Sequence, residues 1–131
     1  VGATLVAFFK KNCATSKLTM PFIERLHRLY PDLRVIGISQ DDIADTTEFV
    51  TLTGQTFPIV LDSDWAVSRE YDLFTVPSVF LIAKDGRVAR ANFGWSKEHY
   101  LAMNEEIARV LGVAPQSFIT DADKVPPFKP G

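Results

Sequence analysis

One thiol limits the chemistry open to this 131-residue chain, and it belongs to Cys13. A lone cysteine can make neither an internal disulfide nor a Cys-rich zinc site, which leaves nucleophilic sulfur chemistry through the thiolate. Cys13 stands in Lys10-Lys11-Asn12-Cys13-Ala14-Thr15-Ser16-Lys17, directly after an apolar run and directly before a helical pattern. At a helix start the free backbone N–H groups and the helix dipole favour an anion. Lys10, Lys11 and Lys17 are close enough in sequence to add to that field. The competing reading is an inert cysteine packed as a small apolar residue. A strand-to-helix turn carries function more often than packing, which favours the reactive reading. His27 and His99 have no spacing to Cys13 that would build a metal cluster, and both read as solvated or capping helix residues. Glu24 and Glu48 read as surface helix residues, and Asp41-Asp42 as a helix cap rather than a metal site. No metal and no cofactor are expected.

The rest of the composition narrows the partners. Fourteen basic residues against sixteen acidic ones give a net charge of −2, with no electrostatic footprint for nucleic acid or for a polybasic membrane surface. No stretch approaches the roughly 18 apolar residues of a membrane span. At 47% hydrophobic with ten Phe, the chain can fill a core without disulfides or a structural metal. It opens on Val1, so an N-terminal segment is expected to be missing, and the compartment stays open between a bacterial-type cytoplasm and periplasm.

The elements that must position Cys13 follow from periodicity. Ala3–Phe9 reads as a central strand apolar on both faces. Phe22, Leu26, Leu29 and Tyr30 recur at helical spacing after Cys13, until Pro31-Asp32. Leu33–Ser39 is a second buried strand, so strand, helix and strand form a right-handed parallel unit. Ile43, Thr47 and Val50 carry a further helix from Asp41-Asp42 to Gly54. Pro58 makes Phe57–Leu61 an edge strand, and a short helix ends near Tyr71. Asp85-Gly86 between SVFLIA and VARANF signals a β-hairpin. Ser96 caps a last helix, with Tyr100, Met103, Ile107 and Val110 on one face and Gly112 at its end. Residues 1–112 are thus expected to form one domain, and 113–131 an extended Pro-rich tail.

Val6-Ala7-Phe8-Phe9-Lys10-Lys11-Asn12-Cys13-Ala14-Thr15-Ser16-Lys17-Leu18-Thr19-Met20-Pro21 resembles the active-site stretch of the TlpA/ResA-like thiol–disulfide oxidoreductases. These belong to the thioredoxin-like superfamily and are of redoxin or AhpC/TSA-like type. Phe57–Asp62, Tyr71–Ile82 and Asp85–Val88 are similar to that family in order and spacing, so the resemblance runs from Thr4 to about Leu111. It implies an α/β thioredoxin-like fold, a central mixed β-sheet flanked by helices. It puts the nucleophile at Cys13, the helix-kinking proline at Pro21 and a cis proline at Pro77. By the same resemblance Asn12, Ala14, Thr15, Val76 and Pro77 contact substrate. Because the hairpin reverses the chain, Pro77 and Asp85-Gly86 are expected at opposite ends of one strand. In the sheet that the resemblance implies, that strand runs antiparallel to the first, which puts Pro77 beside Cys13.

Two departures bear on mechanism. Ser16 stands at the resolving-cysteine position, giving Cys-x-x-Ser, and Asn12 replaces a usual Trp. Serine cannot attack a mixed disulfide, so resolution would need an external thiol reductant. The substrate would be a protein disulfide, a low-molecular-weight thiol or a peroxide. A peroxiredoxin-like antioxidant using Cys13 is one alternative, although Lys10 and Val6 stand where its motif has a hydroxyl and a proline. The other alternative is a redox-inactive binding module of the same fold.

Overall fold

β1 (Thr4–Phe9) lies at the centre, and its alternation divides the molecule into two layers. Leu5, Ala7 and Phe9 enter one core cluster, while Val6 and Phe8 enter the other. Such two-sided burial is possible only for a strand paired on both edges and covered on both faces. The computed structural model describes residues 2–131; Val1, the first residue of the expected domain, lies outside them. The chain continues through α1 (Ala14–Leu29), β2 (Arg34–Ser39), α2 (Ile43–Thr53), β3 (Ile59–Leu61) and α3 (Ala66–Glu70). β4 (Ser78–Ile82), β5 (Val88–Phe93), β6 (Trp95–Ser96) and α4 (Lys97–Leu111) follow, then a 3-10 turn at Asp121–Asp123 and β7 (Phe128–Lys129).

The main sheet has the order β3-β2-β1-β4-β5. β1 and β2 are parallel, as are β2 and β3, while β4 runs antiparallel to both β1 and β5. β3 is the edge strand that Pro58 requires, and the Pro58 carbonyl still accepts a bond from Gly37 N at 2.9 Å. Gly37 is fixed by crowding: a Cβ there would meet Ile59 Cδ1 at 2.6 Å and Phe57 Cε1 at 3.0 Å. The β4–β5 hairpin turns through Gly86 at φ 87°.

Helix faces decide what covers the sheet. α1 buries Met20, Phe22, Ile23 and Leu26, and runs unbroken through Pro21. Pro21 has no N–H to offer the Lys17 carbonyl, and the helix tolerates that loss rather than starting at the proline. α4 presents Tyr100, Met103 and Ile107, each fully buried. α2 is rotated from the face its apolar residues predict. Thr46 and Phe49 point inward, while Ile43 is 70% exposed. The stack of Phe49 on Phe9 (4.9 Å between centroids) and the 2.6 Å bond between Ser39 and Thr46 hydroxyls hold this rotation.

The segment after α4 is docked along its length. Phe118 is buried against Phe22, and Arg25 forms paired bonds of 2.9 and 3.0 Å to the Asp123 carboxylate. The guanidinium, together with a bond from Thr120 N, holds the Asp123 carboxyl down at about 2. Farther on, β7 pairs antiparallel with β6 in a second small sheet. Periodicity gives no sign of this pairing, because two residues are too few to show a pattern.

Glu24 departs from its expected surface position. It is only 7% exposed and accepts bonds from Thr56 N (2.8 Å), Thr56 Oγ1 (2.7 Å) and Arg28 Nε (2.8 Å). Burial pushes this carboxyl up, but the bonds from Thr56 and Arg28 outweigh it and hold it below the usual value. A depressed carboxylate stabilises the fold above its unfolded-state value, and that contribution is lost as pH falls through the folded one. Urea midpoints measured from pH 7 downward should therefore show Glu24→Gln less stable at neutrality and converging on the wild type in acid. A gap that stays constant with pH would refute the assignment.

Candidate active site

Cys13 is the N-cap of α1, with extended backbone at φ −145° and ψ 108°. That conformation turns its side chain back over the first helical turn, where Sγ accepts a bond from Ser16 N at 3.3 Å. A cap of this kind is normally an oxygen; here it is the thiol, so the helix offers a donor directly to sulfur. On its other side Sγ donates to the Val76 carbonyl at 3.5 Å. The Val76–Pro77 peptide is cis. β4 begins at the next residue and pairs antiparallel with β1, Ser78 opposite Phe8, so the start of β4 meets the end of β1. Asp85-Gly86 lies at the far end of the hairpin. Cys13 is half-buried and its thiol is free.

The surrounding residues divide by accessibility. Asn12 and Ala14 are exposed on either side of the thiol, and Val76 and Pro77 are buried beneath it. Ser16 is fully buried, its hydroxyl reached by Lys10 N at 3.5 Å. Thr15, expected on the substrate surface, is buried instead and gives its hydroxyl to the Pro130 carbonyl at 2.5 Å. Lys11 does not supply the local positive field that sequence proximity implies. Its ammonium turns to Asp45 (3.2 Å) and Glu48 (2.7 Å) on α2, and its backbone N–H bonds the Asp41 carboxylate at 2.6 Å. Asp42 caps α2 through Asp45 N, the role its position predicts.

A cleft of about 670 Å³ opens beside the thiol's partner, lined by Lys10, Trp65, Arg69, Phe74 and Val76 among others. Trp65 and Asp72 on this cleft sit in the left-handed region, at φ 62° and 51°. Such backbone costs about 1–3 kcal/mol per residue and persists only where the surroundings enforce it. Asp62 does so. It is 2% exposed, accepts Trp65 N on its carbonyl, and caps α3 through Val67 N, Ser68 N and Ser68 Oγ on its carboxylate. Burial raises this carboxyl, yet the bonds from Ser68 and Val67 prevail and hold it below its ordinary value. The hydrogen-bond partners of the buried carboxylates Asp62 and Glu24 do not include Cys13. Trp65, Phe74 and Asp62 carry no local motif, and sequence reasoning missed them; the Asp62-Ser63-Asp64 run marks only the start of a helix.

Among the described residues no cluster of His, Cys, Asp or Glu could hold a metal ion, and no helix is long and apolar enough to cross a membrane. The arrangement presents one thiol with a backbone acceptor at hand and no second thiol.

Comparison with known proteins follows the same line. The family model described as AhpC/TSA family matches residues 2–91. Sporulation thiol-disulfide oxidoreductase A of Bacillus subtilis (strain 168) is 25% identical over 97 residues, covering 70% of this chain and 59% of that protein. Thiol-disulfide oxidoreductase ResA of Bacillus anthracis is 30% identical over 86 residues, 63% of this chain and 49% of the relative. The chain thus spans between about half and three fifths of the length of these curated relatives. A Chlorobium tepidum structure described as a thiol:disulfide interchange protein DsbE superposes with a TM-score of 0.79 at 20% identity, covering 84% of this chain and 80% of that one. That likeness shows the thioredoxin-like fold.

Proposed function

The chain belongs to the AhpC/TSA family, and from that premise we propose that it is a thiol–disulfide oxidoreductase with Cys13 as its nucleophile. The observation that carries this reading is the thiol's position. Sγ sits at the α1 N-terminus, takes the Ser16 N–H, and lies 3.5 Å from the carbonyl that precedes a cis proline. The curated relatives are named for the same activity.

In this reading the Cys13 thiolate attacks one sulfur of a substrate disulfide. A Cys13–sulfur bond forms, the substrate S–S bond breaks, and the departing thiolate takes a proton from water. Ser16 N–H stabilises the sulfur while it is anionic. The Val76 carbonyl accepts the S–H of the resting thiol, and Val76-Pro77 forms the wall against which the substrate lies. Asn12 and Ala14 border the entry. Ser16 cannot break the mixed disulfide, so an external thiol does, attacking the partner's sulfur and returning Cys13 to its thiolate.

Intact mass spectrometry after exposure to oxidised glutathione should show one glutathione adduct, mapped to Cys13 and released by free thiol. Absence of an adduct under conditions that alkylate Cys13 with iodoacetamide would point to a redox-inactive binding module instead.

A further inference from the structure

We infer that the segment Pro126–Gly131 selects the substrate. It occupies the backbone position beside Val76 that an extended protein strand would need, and it leaves Cys13 to low-molecular-weight disulfides bound in the cleft of Lys10, Trp65, Arg69 and Phe74. The inference rests on the oxidoreductase reading above and deepens it.

The segment is held at every step. Trp95 Nε1 donates to the Pro126 carbonyl at 2.7 Å and Lys97 N to the Pro127 carbonyl at 2.9 Å. Phe128 and Lys129 pair with Ser96 and Trp95, and Thr15 Oγ1 bonds the Pro130 carbonyl. Gly131 then lies so close to the Val76 carbonyl and Thr75 Oγ1 that a Cβ has no room between them. Gly94, at φ 66°, clears the other side; a Cβ there would meet Gly131 N and the Lys129 carbonyl at 3.0 Å. The Val76 carbonyl that accepts the thiol's bond is therefore covered from outside by this chain's own backbone. A protein substrate adding a strand at that edge needs the same space.

The cleft, which Gly131 itself borders beside Thr75 and Val76, has the size of small-molecule sites, which run from about 300 to 1,000 Å³. Lys10 and Arg69 supply cations, Asp72 an anion, and Trp65 and Phe74 are exposed aromatics at 50% and 75%. That set suits a peptide-like thiol bearing both carboxylate and ammonium groups. Ser16 adds an independent argument. With no second sulfur in the site, the resolving thiol must reach the mixed disulfide from solution, which a small partner in an open cleft permits.

Gly131→Leu tests this, since its side chain must lift the segment off Val76 while Cys13, Thr15 and Val76 stay unaltered. Two rates are compared, exchange with oxidised glutathione and exchange with a disulfide-bonded protein such as insulin. The wild type should favour glutathione disulfide by about tenfold or more. The variant should gain about tenfold on insulin relative to glutathione disulfide, tenfold being what about 1.4 kcal/mol of lost obstruction gives. Equal wild-type rates, or an unchanged insulin rate in the variant, would overturn the inference.

Labelling of Cys13 by a small maleimide and by a bulky polymer maleimide reads the same obstruction without any redox step. If neither disulfide reacts, the oxidoreductase reading fails. The bulky-to-small labelling ratio still supports the obstruction if it rises in Gly131→Leu, and refutes it if it does not. Lys129→Pro, which disturbs the β6–β7 pairing, should move the ratio the same way.

Discussion

Cys13→Ser is expected to reduce disulfide exchange to the uncatalysed rate, a loss of about a thousandfold or more, because only a thiolate can enter and leave an S–S bond. The substitution is mild in every other respect. A serine hydroxyl can still accept Ser16 N–H as the α1 cap, and hydroxyl N-caps are among those preferred in helices. The variant should therefore unfold within about 1 kcal/mol of the wild type, as a change that keeps a cap does. Stopped-flow or mass-spectrometric exchange assays set beside urea denaturation separate the two effects. Retained exchange in a folded Cys13→Ser protein would exclude the proposed chemistry, since Cys13 is the chain's single sulfur nucleophile.

The second large effect is a gain. Ser16→Cys places a sulfur one helical turn from Cys13, at a residue whose backbone N–H already touches Sγ at 3.3 Å. An internal thiol acts at an effective concentration of at least about millimolar, whatever is in solution. The mixed disulfide at Cys13 should then decay about a hundredfold faster at micromolar external thiol, a conservative figure set by the ratio of those concentrations. The product is an internal disulfide between Cys13 and the introduced thiol, which is visible as the loss of two hydrogens from the intact mass. Ser16 is fully enclosed, so the larger sulfur should also cost about 1–3 kcal/mol as overpacking in the reduced state. A mixed disulfide that persists unchanged in this variant would mean that position 16 cannot reach the reacting sulfur.

The two variants separate two properties of the site. The first asks whether the thiol at the α1 N-terminus is the reactive group. The second asks whether the site lacks only a resolving sulfur. The remaining question, which disulfide can enter, depends on residues more than a hundred positions away from Cys13 in sequence.

Charge placement illustrates where sequence proximity misled. Lys11 is two residues from Cys13, yet its ammonium is neutralised by Asp45 and Glu48, which the β1-α1-β2-α2 path brings across from more than thirty residues away. Glu24 looks like a solvated helix residue by composition, but Thr56 closes over it from the loop before β3. In α2 the apolar residues Ile43 and Leu52 lie outside, and Thr46 turns inward to the Ser39 hydroxyl. Each departure comes from a pairing between distant segments, which a local period does not record.

What the sequence determined by itself was everything that depends on short-range order. The two-sided apolar run of β1, the helix start at Cys13, the Asp85-Gly86 turn and the caps at Ser96 and Gly112 are local facts, and they specify a βαβ unit followed by a hairpin and a helix. They also locate Cys13 just after the central strand and Pro77 at the start of the hairpin; that this strand lies antiparallel beside the first was implied only by the family resemblance. Tertiary structure alone decided the surroundings of the thiol. It set the 3.5 Å contact with the Val76 carbonyl, the cleft of Trp65 and Phe74, and the course of Pro126–Gly131 across Thr15 and Val76. Prolines and a two-residue strand carry no periodicity, so that segment gives no local sign of where it docks. Its path is fixed by the Trp95 indole, the free edge of β6 and the space left by Gly94, three features that meet only when the chain is folded.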